Sequence, residues 1–244
     1  MSFELFLFCG GPDIAGPSRP KPLMRVREDR SLIVHFLRHL AKHRPTMPAR
    51  ITLLCDDGQE AEFESELRGI HYPVPLRIEA CGLRASTFEK FEYALHTRQA
   101  SGGLVQFGYP DIFFFDHYSE PTRGNLESGL GAYISAAPLT CRFPRLIVDV
   151  YSGEVKGISD YSSPVPANPM HVFGGDLWGL ADELLKLASE FRSQTEIPCP
   201  SLEYNFFFWL INRFCMGCVM LHGEKIWVDS PRDVERLLER TRDL

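Results

Sequence analysis

A chain of 244 residues, 44% hydrophobic, is long enough to bury one large core, so residues 1–244 read as a single domain. A net charge of −6 and a pI near 5.8 argue against nucleic acid or an anionic membrane as the main partner. Phe3 to Cys9 lacks the basic flank and small-residue cleavage site of a signal peptide, the greasy stretch Phe206 to Leu221 is broken by Asn212 and Arg213, and the expectation is a cytoplasmic protein without a membrane span. Seven cysteines in such a chain fit reduced, mostly buried thiols better than a disulfide framework.

Phe3 to Cys9 is apolar and too short for an ordinary helix, which predicts a buried strand ending at Gly10-Gly11. In an open α/β sheet such a loop lies at the carboxyl end of a strand, where glycine lets the backbone approach a ligand. Lys21, between Pro20 and Pro22, places a point charge suited to phosphate just beyond it, a reading weighed against that of a solvated surface lysine. Asp29 to His43 carries Leu32, Ile33, Phe36, Leu37 and Leu40 on one helical face. His35, His39 and His43 recur on the other, at a spacing that could hold a metal but reads better as a solvated basic face beside Arg38 and Lys42.

Arg50 to Cys55 predicts a second strand, Glu60 to Arg68 a short helix and Val74 to Cys81 a third strand. Ser86-Thr87-Phe88-Glu89 is a capping-box pattern opening a third helix. Strand and helix in alternation imply parallel order, hence an α/β fold with a mixed, mostly parallel sheet flanked by helices. Leu104 to Phe107 and Ile112 to Phe115 are separated by Gly108-Tyr109-Pro110-Asp111, where Asp111 could be no more than a turn residue. Arg145 to Tyr151 and Glu154 to Ile158 predict a hairpin, Ser162 to Pro169 a loop over a pocket, and Asp176 the cap of a helix bearing Leu177, Leu180, Leu184, Leu187 and Phe191. Cys215 and Cys218 have zinc or redox spacing but no second pair, and read as core. The tail predicts a strand ending at Trp227-Val228-Asp229 and a helix starting at Ser230-Pro231.

Strand, Gly10-Gly11, loop and Pro20-Lys21-Pro22-Leu23 together resemble the signature of the sugar-1-phosphate nucleotidyltransferases, nearest in flavour to the glucose-1-phosphate cytidylyl- and thymidylyltransferases. Gly103 to Phe115 is similar to the family strand ending in Gly-Asp, and Glu203 with Gly223 to Asp233 looks like the cytidylyltransferase tail. The resemblance implies a Rossmann-type, GT-A-like fold that moves a nucleotidyl group from a nucleoside triphosphate, CTP first, to a sugar phosphate. It implies Lys21 and Arg19 as catalytic cations and Gly10, Gly11, Thr87 and Gly108 at the nucleotide. Asn168 and Glu203 would stand at the sugar phosphate, and Asp111 and Asp229 on one Mg²⁺.

The chain also departs from that pattern. Only eight residues separate Gly11 from Pro20, so the family's loop arginine is missing, and Asp160-Tyr161 stand where Glu-Lys would be. Two absent cations leave open a catalytically impaired relative that binds nucleotide or nucleotide-sugar, or serves as an assembly partner, and self-association into a homo-oligomer is also open.

Overall fold

The computed structural model describes residues 2–10, 12–13, 16–97, 103–115, 120–138, 145–149, 152–159, 171–221 and 224–244. In chain order these form β1 (Phe3–Phe8), β2 (Pro12–Asp13), β3 (Gly16–Pro20), β4 (Arg25–Arg27), β5 (Arg30–Ser31), α1 (Leu32–His43), β6 (Arg50–Cys55), α2 (Glu60–Leu67), β7 (Leu76–Ala80), α3 (Thr87–Thr97), β8 (Leu104–Gly108) and β9 (Ile112–Phe114). They continue with α4 (Arg123–Glu127), β10 (Ala132–Pro138), β11 (Arg145–Val148), β12 (Val155–Ser159), β13 (His171–Leu180), α5 (Ala181–Gln194), α6 (Phe207–Asn212), β14 (Met216–Met220), β15 (Lys225–Trp227) and α7 (Pro231–Arg240).

The strands β7, β6, β1 and β8 run parallel, and β13 continues the sheet antiparallel on the far side of β8. The β11–β12 hairpin lies beyond β13, which also pairs with β10, and β10 in turn pairs with β14. The result is a single α/β sheet, mixed overall and parallel through its first half. Its centre is β1, whose apolar run from Leu5 to Phe8 follows from burial on both faces. Phe3, Leu5 and Leu7 pack toward α1, while Phe6 and Phe8 join the opposite cluster with Phe88 and Phe91 of α3 and Phe191 of α5. Side-chain alternation in a strand sends successive residues to opposite layers, so one short segment ties both cores together.

Two segments differ from expectation. Asp176 and Leu177 lie inside β13, and the helix begins only at Ala181. Tertiary pairing with β8 and β10 overrides the helical spacing of the leucines, which serve the strand first and the helix afterwards. The capping box at Ser86 does form, with the Glu89 backbone N–H donating to Ser86 Oγ and the Ser86 N–H to the Glu89 carboxylate. Cys218 is buried in the core and Cys215 packs against the same cluster, and the six described cysteines are free thiols. Among the described residues no helix is long and apolar enough to cross a membrane.

The basic face of α1 is the second correction. His43 is exposed, but His35 and His39 are fully buried under the C-terminal segment and β9. Thr241 donates its hydroxyl to the Leu237 carbonyl at 2.7 Å, so it accepts from His35 Nε2–H at 2.8 Å. His39 Nε2–H donates to the Phe114 carbonyl at 2.7 Å. Both Nδ1 atoms lack partners among the described residues, which fits neutral rings. Burial pulls both imidazoles down from 6.5 to about 4, with nearby basic groups, Arg30 for His35 and His43 for His39, acting in the same direction.

The unfolded chain therefore takes up protons that the folded chain refuses as pH drops below about 6.5. The stabilisation is complete above that value and disappears toward pH 4. In a histidine Cε1–H NMR titration, two of the eight histidines should stay neutral through pH 5 while the fold persists; all eight titrating near 6.5 would contradict these burials.

Candidate active site

Parallel strands deliver their carboxyl ends to one edge, and the cleft opens there. It measures about 410 Å³, with Gly10 at the end of β1, Lys21, Thr87 and Lys90 on α3, Asp111 and Asp229 among the residues lining it. Lys21 starts a 3₁₀ turn, Lys21–Leu23, whose Pro22 and Leu23 are buried, so the turn is anchored while the lysine side chain points back to the strand edge.

Asp111 and Asp229 lie 118 residues apart and meet because β9 pairs antiparallel with β15. The Ile112–Trp227 pairing sets the aspartates on adjoining loops, and the Val228 N–H donates to the Asp111 carbonyl at 2.9 Å. Trp227 Nε1–H donates to Asp111 Oδ2 at 3.1 Å, while the Asp229 N–H and the Ser230 hydroxyl both donate to Asp233 at the start of α7.

Lys21 Nζ stands between the two, 2.5 Å from Asp111 Oδ2 and 2.5 Å from Asp229 Oδ1. Burial alone would lower the lysine pKa, but the charges and hydrogen bonds of Asp111 and then Asp229 outweigh it, and the net shift is upward. The ammonium is thus held charged.

Two carboxylates that reach one ammonium can also reach one divalent cation. Asp111 Oδ1 is buried without a hydrogen-bond partner among the described residues, and the Asp229 side chain is 49% exposed. Hard oxygen donors from one or two carboxylates, completed by water and substrate phosphate, are what Mg²⁺ requires. The pair fits that ion even though no group of three or more metal-ligating side chains occurs among the described residues.

The remaining expected residues divide. Thr87 lines the cleft, accepts from the Leu202 N–H at 3.0 Å and donates to Glu203 Oε2 at 3.3 Å. Glu203 stands behind that wall, taking hydrogen bonds from Ser201 at 2.9 Å and from the Tyr109 hydroxyl, and burial raises its pKa. Gly108 closes β8 with its Cα toward Asp176, one residue before the cleft-lining Tyr109. Arg19 is directed elsewhere: its guanidinium approaches Glu66 at 3.7 Å and Glu62 at 4.0 Å on α2, and Arg25 also pairs with Glu66. Gly11, Asn168 and Tyr161 lie outside the described residues.

Sequence reading missed three buried charges near the cleft. Lys90 sits one helical turn after Thr87, a spacing that could have flagged it. Asp176 was hidden by its misassigned helix, and Lys225, next to Glu224, carried no local sign of burial. Burial pushes Asp176 up to about 6 and Lys225 down to about 7, each opposed by the other's charge, and Lys225 also feels Asp111 and Asp229.

No protein-family model matches the chain, and no curated protein matches it by sequence. Solved structures do. HddC from Yersinia pseudotuberculosis, also solved complexed with GMP-PN, superimposes with a TM-score of 0.70 at 17% identity, over 98% of this chain and 99% of that one. A putative glucose-1-phosphate thymidylyltransferase from Bacillus anthracis gives 0.71 at 14% identity over 100% and 96%, and the inositol-1-phosphate CTP transferase of T. maritima 0.69 at 13% over 97% and 95%. The fold is that of the sugar-phosphate nucleotidyltransferases. At these identities the likeness speaks for architecture, and chemistry has to come from the cleft itself.

Gly175 gives a direct handle on how the fold positions Asp111. Its φ is +109°, and an added Cβ would fall 2.3 Å from Ile112 Cδ1, beside that aspartate. Gly175→Ala should cost about 2 kcal/mol or more in urea unfolding; a variant as stable as the parent would show that this contact does not hold the β9 start.

Proposed function

We propose that the chain transfers a nucleotidyl group from a nucleoside triphosphate, CTP being the first candidate, to a sugar 1-phosphate or similar phosphorylated small molecule, releasing pyrophosphate. One observation carries this reading: Lys21 bridges Asp111 and Asp229 inside a cleft at the carboxyl edge of the parallel strands. An acceptor phosphate oxygen would attack the α-phosphorus, and the bond from that phosphorus to the bridging oxygen of pyrophosphate would break. Negative charge accumulates on the non-bridging oxygens and on the leaving group.

Lys21 supplies an ammonium that is already in place and needs only to exchange a carboxylate for a phosphate oxygen. Asp111 and Asp229 would hold Mg²⁺, which when bound contributes Lewis-acid stabilisation of the same phosphates. Trp227 keeps Asp111 oriented through its indole N–H. Thr87, its hydroxyl held by Leu202 and Glu203, forms a fixed part of the cleft wall. The solved neighbours support this reading by their names: two are described as a thymidylyltransferase and a CTP transferase, and HddC has been captured with GMP-PN.

One observation favours a second reading, a nucleotide-binding relative that does not turn over. Arg19 and Arg25 are engaged by Glu62 and Glu66, so neither stands ready to replace the missing loop arginine. Pyrophosphate release measured with CTP, dTTP, UTP, ATP and GTP against a set of sugar 1-phosphates, with Mg²⁺ or Mn²⁺, separates the two. Turnover with at least one pair is expected, whereas binding without pyrophosphate in every combination would establish the second reading.

Lys21→Ala should weaken triphosphate binding about 10- to 100-fold, the cost of one charge-assisted hydrogen bond. Unchanged affinity in calorimetry on the folded variant would remove Lys21 from the phosphate site.

A further inference from the structure

The cleft carries a second charged pair, on the other side of β1 from the first. β1 lies between β8, which leads to Asp111, and β6, which ends at Cys55 and is followed by Asp56. On that β6 side Lys90 reaches in from α3, its Nζ 2.7 Å from Asp56 Oδ1. The pair is close but out of line for a hydrogen bond, since Asp56 Oδ1 has none among the described residues. Lys90 is only 3% exposed, and it fills the space that glycine leaves at position 10: a Cβ there would lie 2.3 Å from its Nζ. A lysine this buried is rare and has to be matched to a partner or a ligand.

Its chemistry differs from that of Lys21. The Lys90–Asp56 pair is neutral overall, and an Asp56 oxygen would lie only 3.9 Å from a Cβ at Gly10. A phosphate placed here would meet that carboxylate as a like charge, so the position disfavours anions. An ammonium with its charge balanced suits a neutral acceptor, above all a carbonyl oxygen. The wall beside it is aromatic: Phe8 and Tyr109 both line the cleft, their ring centroids 5.2 Å apart, and give a flat ligand an apolar, aromatic side to pack against.

Building on the nucleotidyl-transfer reading, we propose that Lys90, positioned by Asp56, donates a hydrogen bond to a carbonyl oxygen of the nucleobase and thereby sets which triphosphate the cleft accepts. Cytosine, uracil, thymine and guanine each offer such an oxygen. Adenine has no carbonyl; its acceptors lie within the ring and its exocyclic group is an amine, so a donor placed for an exocyclic oxygen meets another donor. Sites built around one polar partner reject an analogue lacking it because the site's own group is left unsatisfied.

The test is calorimetric titration of the full chain with the five triphosphates in Mg²⁺, on the parent, Lys90→Met, and the double variant Asp56→Asn/Lys90→Met, which avoids stranding a buried carboxylate. The parent should bind the four carbonyl-bearing triphosphates at least about tenfold more tightly than ATP. Both variants should bring those four down to the level of ATP while leaving ATP itself unchanged. An equal loss for all five, no loss for any, or a parent without discrimination against ATP would overturn the assignment and leave the transfer reading intact. A parent that binds no triphosphate would overturn both.

Discussion

Everything at the carboxyl edge of the sheet depends on an ammonium placed between two carboxylates. Lys21, Asp111 and Asp229 come from three separated parts of the chain, and without the lysine the largely buried Asp111 would face the half-exposed Asp229 with no cation between them. Breaking a buried charged group away from its partner costs more than the pair contributes when intact, so the arrangement acts as a constraint on register. The short β9–β15 ladder brings the two aspartates together, and Lys21 lies between them. In the free protein the lysine thus offsets one of the two negative charges of the site. In the proposed transfer reaction, phosphate and metal would engage that same ammonium and those same carboxylates.

A layer of buried charge lies beneath this triad. Asp176 sits inside β13 against Gly108, where any side chain at that glycine would lie 2.9 Å from its carboxylate. Lys225 donates to the Phe173 carbonyl at 2.5 Å and lies over the Trp227 ring. Arg44, with its guanidinium 4.4 Å from the Phe3 ring centroid, adds positive charge near Asp176. Charged groups are normally kept out of a core because desolvation is costly, and here they cluster under the functional edge instead. The aromatic packing of Phe88, Phe91, Phe191 and Phe206 on the α3 and α5 side supplies the apolar burial against which such costs are set.

The legible parts of the chain were those where local pattern and tertiary role agree. β1 reads as a buried strand because both faces are covered, and the starts of α3 and α7 read correctly because Ser86 and Ser230 cap with their own side chains. The convergence of Asp111 with Asp229 was suggested by resemblance alone, since no local pattern encodes a contact across 118 residues. What could not be read depended on partners distant in sequence. His35 and His39 look solvated on a helical wheel, and only the return of Thr241 and Phe114 over that face buries them. Leu177 and Leu180 fit a helix in spacing, but β8 and β10 claim them for a strand. Lys90 drew no expectation from sequence, because Asp56 and Gly10, which close around it, are distant along the chain.

The central claim is that Asp111 and Asp229 form one cation site that works with bound triphosphate. Mn²⁺ titration followed by electron paramagnetic resonance, in the presence of CTP, addresses it directly, because bound and free Mn²⁺ are resolved without any need for turnover. The account predicts one protein-bound Mn²⁺ per chain beyond that carried by free nucleotide, lost in the Asp111→Asn/Asp229→Asn variant while circular dichroism shows the fold retained. The same bound Mn²⁺ in parent and variant would contradict it.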